Sequence, residues 1–387
     1  MVCSGFYIKA GEFSSALARF KHVISEKGAD EVLRHLLMHQ MHHRLELHGS
    51  DGEMYAIVAL DVEPIKGMVQ DTGLAVPYKS LLNHLKRIPD DVLLKCVFVE
   101  EQRGPSHILI ESEYGRKTFY GITFHSYPKI APFRCINIAI MNVGDFRDML
   151  SQTVFAVDEG AESKLNGVYF HCLPDKTRFV ATNRYILSMY EKVDVVFTKP
   201  KSVVVPTRVL QIFADAIKDA SEEGNVLFYV SEGHILLVHR MFSLFSKCLG
   251  GDFPDYEKAI PKEVKYVASL EREELIKVIK QLEPFARRRT PRVDLTFGRN
   301  EVALSVESIA HRMRKTESVS CRYSGEEPIC FAVSFNAKGL LRILENIKGE
   351  RVVMKMAIGS RPIVILPESQ DVKAHVLCLI APVIVLG

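Results

Sequence analysis

Five histidines crowd the stretch HLLMHQMHHRLELH: His35, His39, His42, His43 and His48. Imidazole is a common metal ligand, and on a helix His35 and His39 would have the i, i+4 spacing of a zinc pair. A zinc hydrolase of the HEXXH type also needs a glutamate as general base, yet Met38 precedes His39 and no acidic residue stands between His35 and His39. Strand or surface histidines are the favoured reading, and no metal ligand is expected. A metal-dependent enzyme built on His35, His39 and His42 is the least supported alternative.

Cationic residues offer a different chemistry. On a helix beginning at Lys79, residues Lys79, Asn83, Lys86 and Arg87 recur at i, i+4, i+7 and i+8, opposite Leu81, Leu82 and Leu85. Other helical segments contribute Lys21, Arg147, Arg208, Lys218, Lys277, Lys280, Lys338 and Arg342. One such face is ordinarily a solvated surface. Repeated faces gathered on a common surface would instead track a DNA backbone without reading sequence. No RNP-type aromatic cluster accompanies them, so base readout is not expected. The run Arg287–Arg289 could touch phosphate or simply end a helix. No GxSxG, Walker A, GxGxxG or HxE pattern occurs, so neither catalytic residues nor a cofactor are expected.

The elements that would position these cations repeat three times. VPYKSLLNHLKRIPDD, VPTRVLQIFADAIKDA and FNAKGLLRILENIKGE align Lys79, Leu81 and Ile88 with Arg208, Leu210 and Ile217, and with Lys338, Leu340 and Ile347. The copies lie about 130 residues apart. A second helix repeats through Phe13, Ala16 and Leu17, then Phe146, Met149 and Leu150, then Leu275, Val278 and Ile279. Strand-like runs MYAIVAL, GVYFHCL, TRFVAT, HILLVHR and VALSVES lie between, with turns such as Ser50-Asp51-Gly52. This predicts an α+β chain of three copies of one domain, 1–133, 134–262 and 263–387.

The bulk properties of the 387 residues agree with a globular chain: 47% hydrophobic, 25% charged, net charge +3. Eight scattered cysteines without a CxxC pair read as reduced, buried thiols in a cytoplasmic protein. The terminal VLCLIAPVIVLG is too short to span a bilayer and reads as a buried final strand, so no membrane partner is expected.

In VPYKSLLNHLKRIPDD, KLNGVYF, FVATNRYIL, SVVVPTRVL, FPDYEKAIP and FNAKGLLRILENIKGERVVMKM, the chain resembles the bacterial sliding clamps, the β subunits of DNA polymerase III, as a divergent member. Most specific are LNG at Leu165–Gly167, VAT at Val180–Thr182 and FPDY at Phe253–Tyr256. The resemblance implies three DNA-clamp domains with helices lining a central hole, antiparallel sheets outside, and a closed ring made by a homodimer. It implies double-stranded DNA as a sequence-independent partner, and the replicative polymerase and clamp loader as partners through short peptide motifs.

Carried over by motif, the partner-peptide groove would use Leu165, Thr182, Arg184, Tyr185, Ile186 and Leu187 from the second domain. The connector would add Pro254, Lys258 and Ala259, and the C-terminal part Ser360, Pro362, Leu379, Ala381, Pro382 and Val383. Two departures stand out. Thr182-Asn183-Arg184-Tyr185-Ile186-Leu187 replaces T-D-G-H-R-L, and Ala381-Pro382-Val383-Ile384-Val385 replaces M-P-M-R-L. They leave open a clamp-like scaffold or regulator with altered partner binding.

Overall fold

The computed structural model describes residues 2–24, 30–68, 71–100, 104–128, 135–160, 164–286, 291–308, 313–325, 331–357 and 361–383. The chain forms two compact units, Met1–Gly144 with Arg208–Cys248, and Asp145–Thr207 with Leu249–Gly387.

The described residues include six α-helices: α1 (Ala10–Ala18), α2 (Tyr78–Leu85), α3 (Val143–Thr153), α4 (Thr207–Ala216), α5 (Arg272–Leu282) and α6 (Ala337–Asn346). Their buried positions follow the sequence periodicity. Leu81, Leu210 and Leu340 are buried, as are Ile88, Ile217 and Ile347 just past the ends of their helices. Lys79, Arg208 and Lys338 are exposed. On the second helix of each repeat, Phe13, Phe146 and Leu275 are fully buried, whereas Leu150 is only half-buried. Burying each large apolar side chain contributes about 1.5–3 kcal/mol, which holds these short helices where propensity alone would not. In the first unit, Tyr78 at the start of α2 donates its hydroxyl to Leu17 O of α1 at 3.1 Å. In the second, Asn336 caps α6 by accepting from Gly339 N at 3.2 Å.

All strand pairs among the described residues are antiparallel. The first unit holds a five-stranded sheet centred on Val2–Lys9, Leu93–Glu100 and His107–Ser112, and a nine-stranded sheet. In the latter, Met54–Asp61 pairs with Phe242–Lys247, so strands distant in sequence form one sheet. The second unit holds a twelve-stranded sheet in which Ile186–Lys192 pairs with Ala374–Ile380. The strand-like runs of the sequence are all strands, and Ser50-Asp51-Gly52 is a hairpin turn. There Gly52 takes φ +95° and Asp51 Oδ1 accepts from Glu53 N and Met54 N at 3.0 and 2.7 Å.

The histidine stretch is a hairpin of strands His35–Met41 and Arg44–Ser50. The i, i+4 helical geometry considered for His35 and His39 therefore does not arise. The final strand stops at Ile380, because Pro382 cannot donate to a ladder, and Ala381–Val383 continue outside it. Cys96, Cys172, Cys321 and Cys378 are buried free thiols, while Cys135 and Cys248 are half-buried. Burial pushes the Cys172 and Cys378 thiols up to about 12, which removes their nucleophilicity at neutral pH. No helix among the described residues is long and apolar enough to cross a membrane.

Candidate partner groove and basic helix faces

Alternation along a strand divides the expected groove residues between two faces. Leu187 stands opposite Leu379, and Leu379 opposite Val364 on the next strand. These three join Val180, Met189 and Tyr256 in a small apolar cluster, against which Phe253, Tyr169 and Ile260 pack. Ile186 and its partner Ile380 lie on the other face, in the core beneath the helices. A Cβ at Gly339 of α6 would meet Ile186 Cγ2 at 3.5 Å and Ile380 Cδ1 at 3.9 Å. Ile186 is thus a core residue under α6 and is not available to the groove as expected. Leu165 and Thr182 are also buried, and Thr182 Oγ1 donates to Ile186 O at 2.7 Å within its own turn.

That turn presents Arg184 and Tyr185 to solvent. Arg184 adopts φ +77°, Asn183 Oδ1 accepts from Tyr185 N and Ile186 N at 3.1 and 2.9 Å, and Tyr185 is 74% exposed. The chain after the final strand is tied to this turn, since Ala381 N donates to Tyr185 O at 2.8 Å. Pro382 and Pro362 are half-buried and Val383 is exposed. Ser360 lies outside the described residues, as do Arg287–Arg289. On the connector, Pro254, Lys258 and Ala259 are exposed, with Lys258 Nζ 2.9 Å from Asp255 Oδ2.

Phe253 and Tyr256 of the FPDY motif hold the connector down through partners not singled out from sequence. Phe253 stacks on Tyr169 with centroids 4.6 Å apart, and His171 Nδ1 lies 2.6 Å from the Tyr256 hydroxyl. Burial pushes the Tyr256 phenol up and the His171 imidazolium down, so the hydroxyl donates to a neutral ring. Arg178 bridges Glu191 at 2.6 Å and Glu257 of the connector at 2.5 Å, and Lys176 reaches Glu191 at 3.2 Å. Burial alone would raise the Glu191 carboxyl, but the hydrogen bonds from Arg178 and Lys176 hold it below the ordinary range. The FPDY motif and the alternation Tyr169, His171 on one strand are the sequence signals for this face. Its chemistry is apolar anchoring with a charged rim, and it contains no activated nucleophile.

The basic residues fall into two groups. Arg208 bridges Asp51 at 3.0 Å, Lys280 bridges Glu345 at 2.6 Å, Lys338 bridges Glu283 at 3.9 Å and Arg342 bridges Glu159 at 3.4 Å. Among the described residues, Lys21, Lys86, Arg87 and Lys277 are exposed and make no ion pair. Lys79 and Lys218 are exposed and Arg147 is half-buried. Exposed ion pairs are worth roughly 0–1 kcal/mol, so the paired cations can still exchange a carboxylate for a phosphate.

Residues 141–255 match the family described as DNA polymerase III beta subunit, central domain, and residues 257–381 match its C-terminal domain. A beta sliding clamp of Synechocystis is 22% identical over 383 residues, covering 93% of this chain and 94% of its own. One from Streptococcus pneumoniae is 23% identical over 380 residues, covering 95% and 96%. Among solved structures, the Pseudomonas aeruginosa sliding clamp bound to griselimycin superposes with a TM-score of 0.86 at 20% identity, over 99% of this chain and 100% of that one. The DNA polymerase sliding clamp of Bacillus subtilis gives 0.85 at 18% identity, over 99% of each.

Proposed function

Because this chain belongs to the DNA polymerase III beta-subunit family, we propose that it is a sliding clamp: two copies close head to tail around duplex DNA and hold the replicative polymerase on it. The observation that carries this reading is the family likeness along the chain, with clamp relatives covered end to end at nearly equal length. A closed ring retains DNA topologically, so its lining needs only diffuse positive charge, and weak phosphate contacts permit sliding. Lys21, Lys86, Arg87 and Lys277 are the cations best placed for that role, with the ion-paired Arg208, Lys280, Lys338 and Arg342 as exchangeable reserves. We divide the chain into three clamp domains, 1–133, 134–262 and 263–387.

Partner proteins, polymerase and clamp loader among them, dock through short peptides on the Leu187, Leu379 and Val364 surface beside the Tyr256 connector. Apolar anchors of the Leu and Phe type suit that floor. The protein performs no catalytic step and works in the cytoplasm. The deciding experiment is retention on nicked circular DNA before and after linearisation. Loss on linearisation is expected; equal retention on both forms would overturn topological binding.

A further inference from the structure

The hairpin that removes the helical zinc pair creates another constellation. His39 and Glu46 are register partners on its two strands, and His48 follows Glu46 by two residues, so all three side chains share one face. One ligand atom from each lies within 4.8 Å of the others. The surroundings are half-buried: the side chains of His39, Glu46 and His48 are 16%, 20% and 12% exposed. His48 Nε2 is itself buried, lies 3.4 Å from Glu46 Oε2 and makes no aligned hydrogen bond. Outside this cluster, the exposed Asp71 on the neighbouring strand places Oδ1 2.9 Å from His39 Nε2 and so orients that ring.

We propose that His39, Glu46 and His48 form a zinc site that crosslinks the two strands of this hairpin. Two imidazoles and one carboxylate are a ligand set zinc accepts, and tetrahedral coordination at about 2.0–2.1 Å places ligand atoms about 3.4 Å apart. The His48–Glu46 separation of 3.4 Å is already at that spacing. The supporting contacts are those metal-bound residues use. His48 Nδ1 faces the Tyr55 hydroxyl at 3.2 Å, which leaves Nε2 to the metal, and Arg44 Nε holds Glu46 Oε1 at 3.0 Å, which leaves Oε2. Phe124 covers the His39 ring with centroids 4.6 Å apart. A cleft of about 280 Å³ lined by His39, Asp71, Phe124 and His125 opens beside the His39 ring. Three protein ligands leave the fourth position of a tetrahedral ion to water, and the role of the ion is to crosslink the two strands.

The test strips the full-length protein with a chelator and titrates it with zinc chloride by calorimetry, with metal analysis and thermal melting alongside. One zinc ion per chain, a raised melting midpoint, and at least tenfold weaker binding in H48N and E46Q are expected, with H43N unchanged. Cobalt substituted for zinc should give the visible absorption of a tetrahedral site, lost in H48N. Glu46→Gln preserves side-chain shape and so keeps the test valid where a histidine variant misfolds. Substoichiometric binding, equal affinity in H43N and E46Q, or an unchanged melting midpoint would overturn the site.

Discussion

Leu187 and Leu379 face each other across adjacent antiparallel strands although about half of the chain separates them. Both are buried, and together they form the apolar floor beside the connector. Truncating Leu379 to alanine should cost about 3 kcal/mol in urea melts. It should also weaken binding of a Leu- and Phe-anchored clamp peptide more than tenfold by calorimetry. Unchanged peptide affinity would place the docking surface elsewhere.

The proposed charge lining includes Lys86 and Arg87, which make no ion pair among the described residues. Replacing Lys86 and Arg87 together by alanine should leave the melting midpoint within a degree or so, because both are exposed. DNA affinity should fall, and the salt slope should lose about one for each phosphate contact removed. Filter binding across a range of salt concentrations checks this; an unaltered slope would exclude these two residues from the DNA path.

Arg184 occupies the left-handed region at φ +77°, where a β-carbon crowds the following carbonyl. Arg184→Gly should therefore stabilise the fold by about 1 kcal/mol, measured by denaturant melts. The same substitution tests whether the guanidinium contributes to partner choice, since peptide affinity would shift independently of stability.

Glu191 is held below the ordinary carboxylate range by Arg178 and Lys176 despite its burial. The unfolded chain titrates at the ordinary glutamate value, about 4.3. The stabilisation is therefore complete above that pH and is lost as pH falls through the lower folded value. Melting midpoints between pH 6 and pH 3 should drop less steeply in Glu191→Gln than in the parent. An identical slope would assign acid sensitivity to other carboxylates.

Much of this architecture was legible in the chain itself. The triplet of Leu81, Leu210 and Leu340 with its basic neighbours predicts helix faces, because a helix and a buried core impose a fixed period on apolar positions whatever the rest of the fold does. The strand runs and the Asp51-Gly52 turn are local in the same sense. The candidate groove was only half legible: motif resemblance collects Ile186 and Leu187 together, yet adjacent residues of a strand point to opposite faces, and only pairing with Leu379 and Ile380 assigns each its side.

Other relationships had no local signal. Whether a cation such as Lys280 carries its charge freely depends on Glu345 from another helix, and the seating of Tyr256 depends on His171. The histidines show the division most clearly. The sequence reading already favoured strand or surface histidines over a helical pair at His35 and His39; the strand register adds what it could not, the meeting of His39, Glu46 and His48. Sequence by itself determined the repeat, the element types and the buried faces, since these depend on local periodicity. Tertiary structure decided which polar groups meet, because proximity between strands is set by register and sheet order, which no single segment encodes.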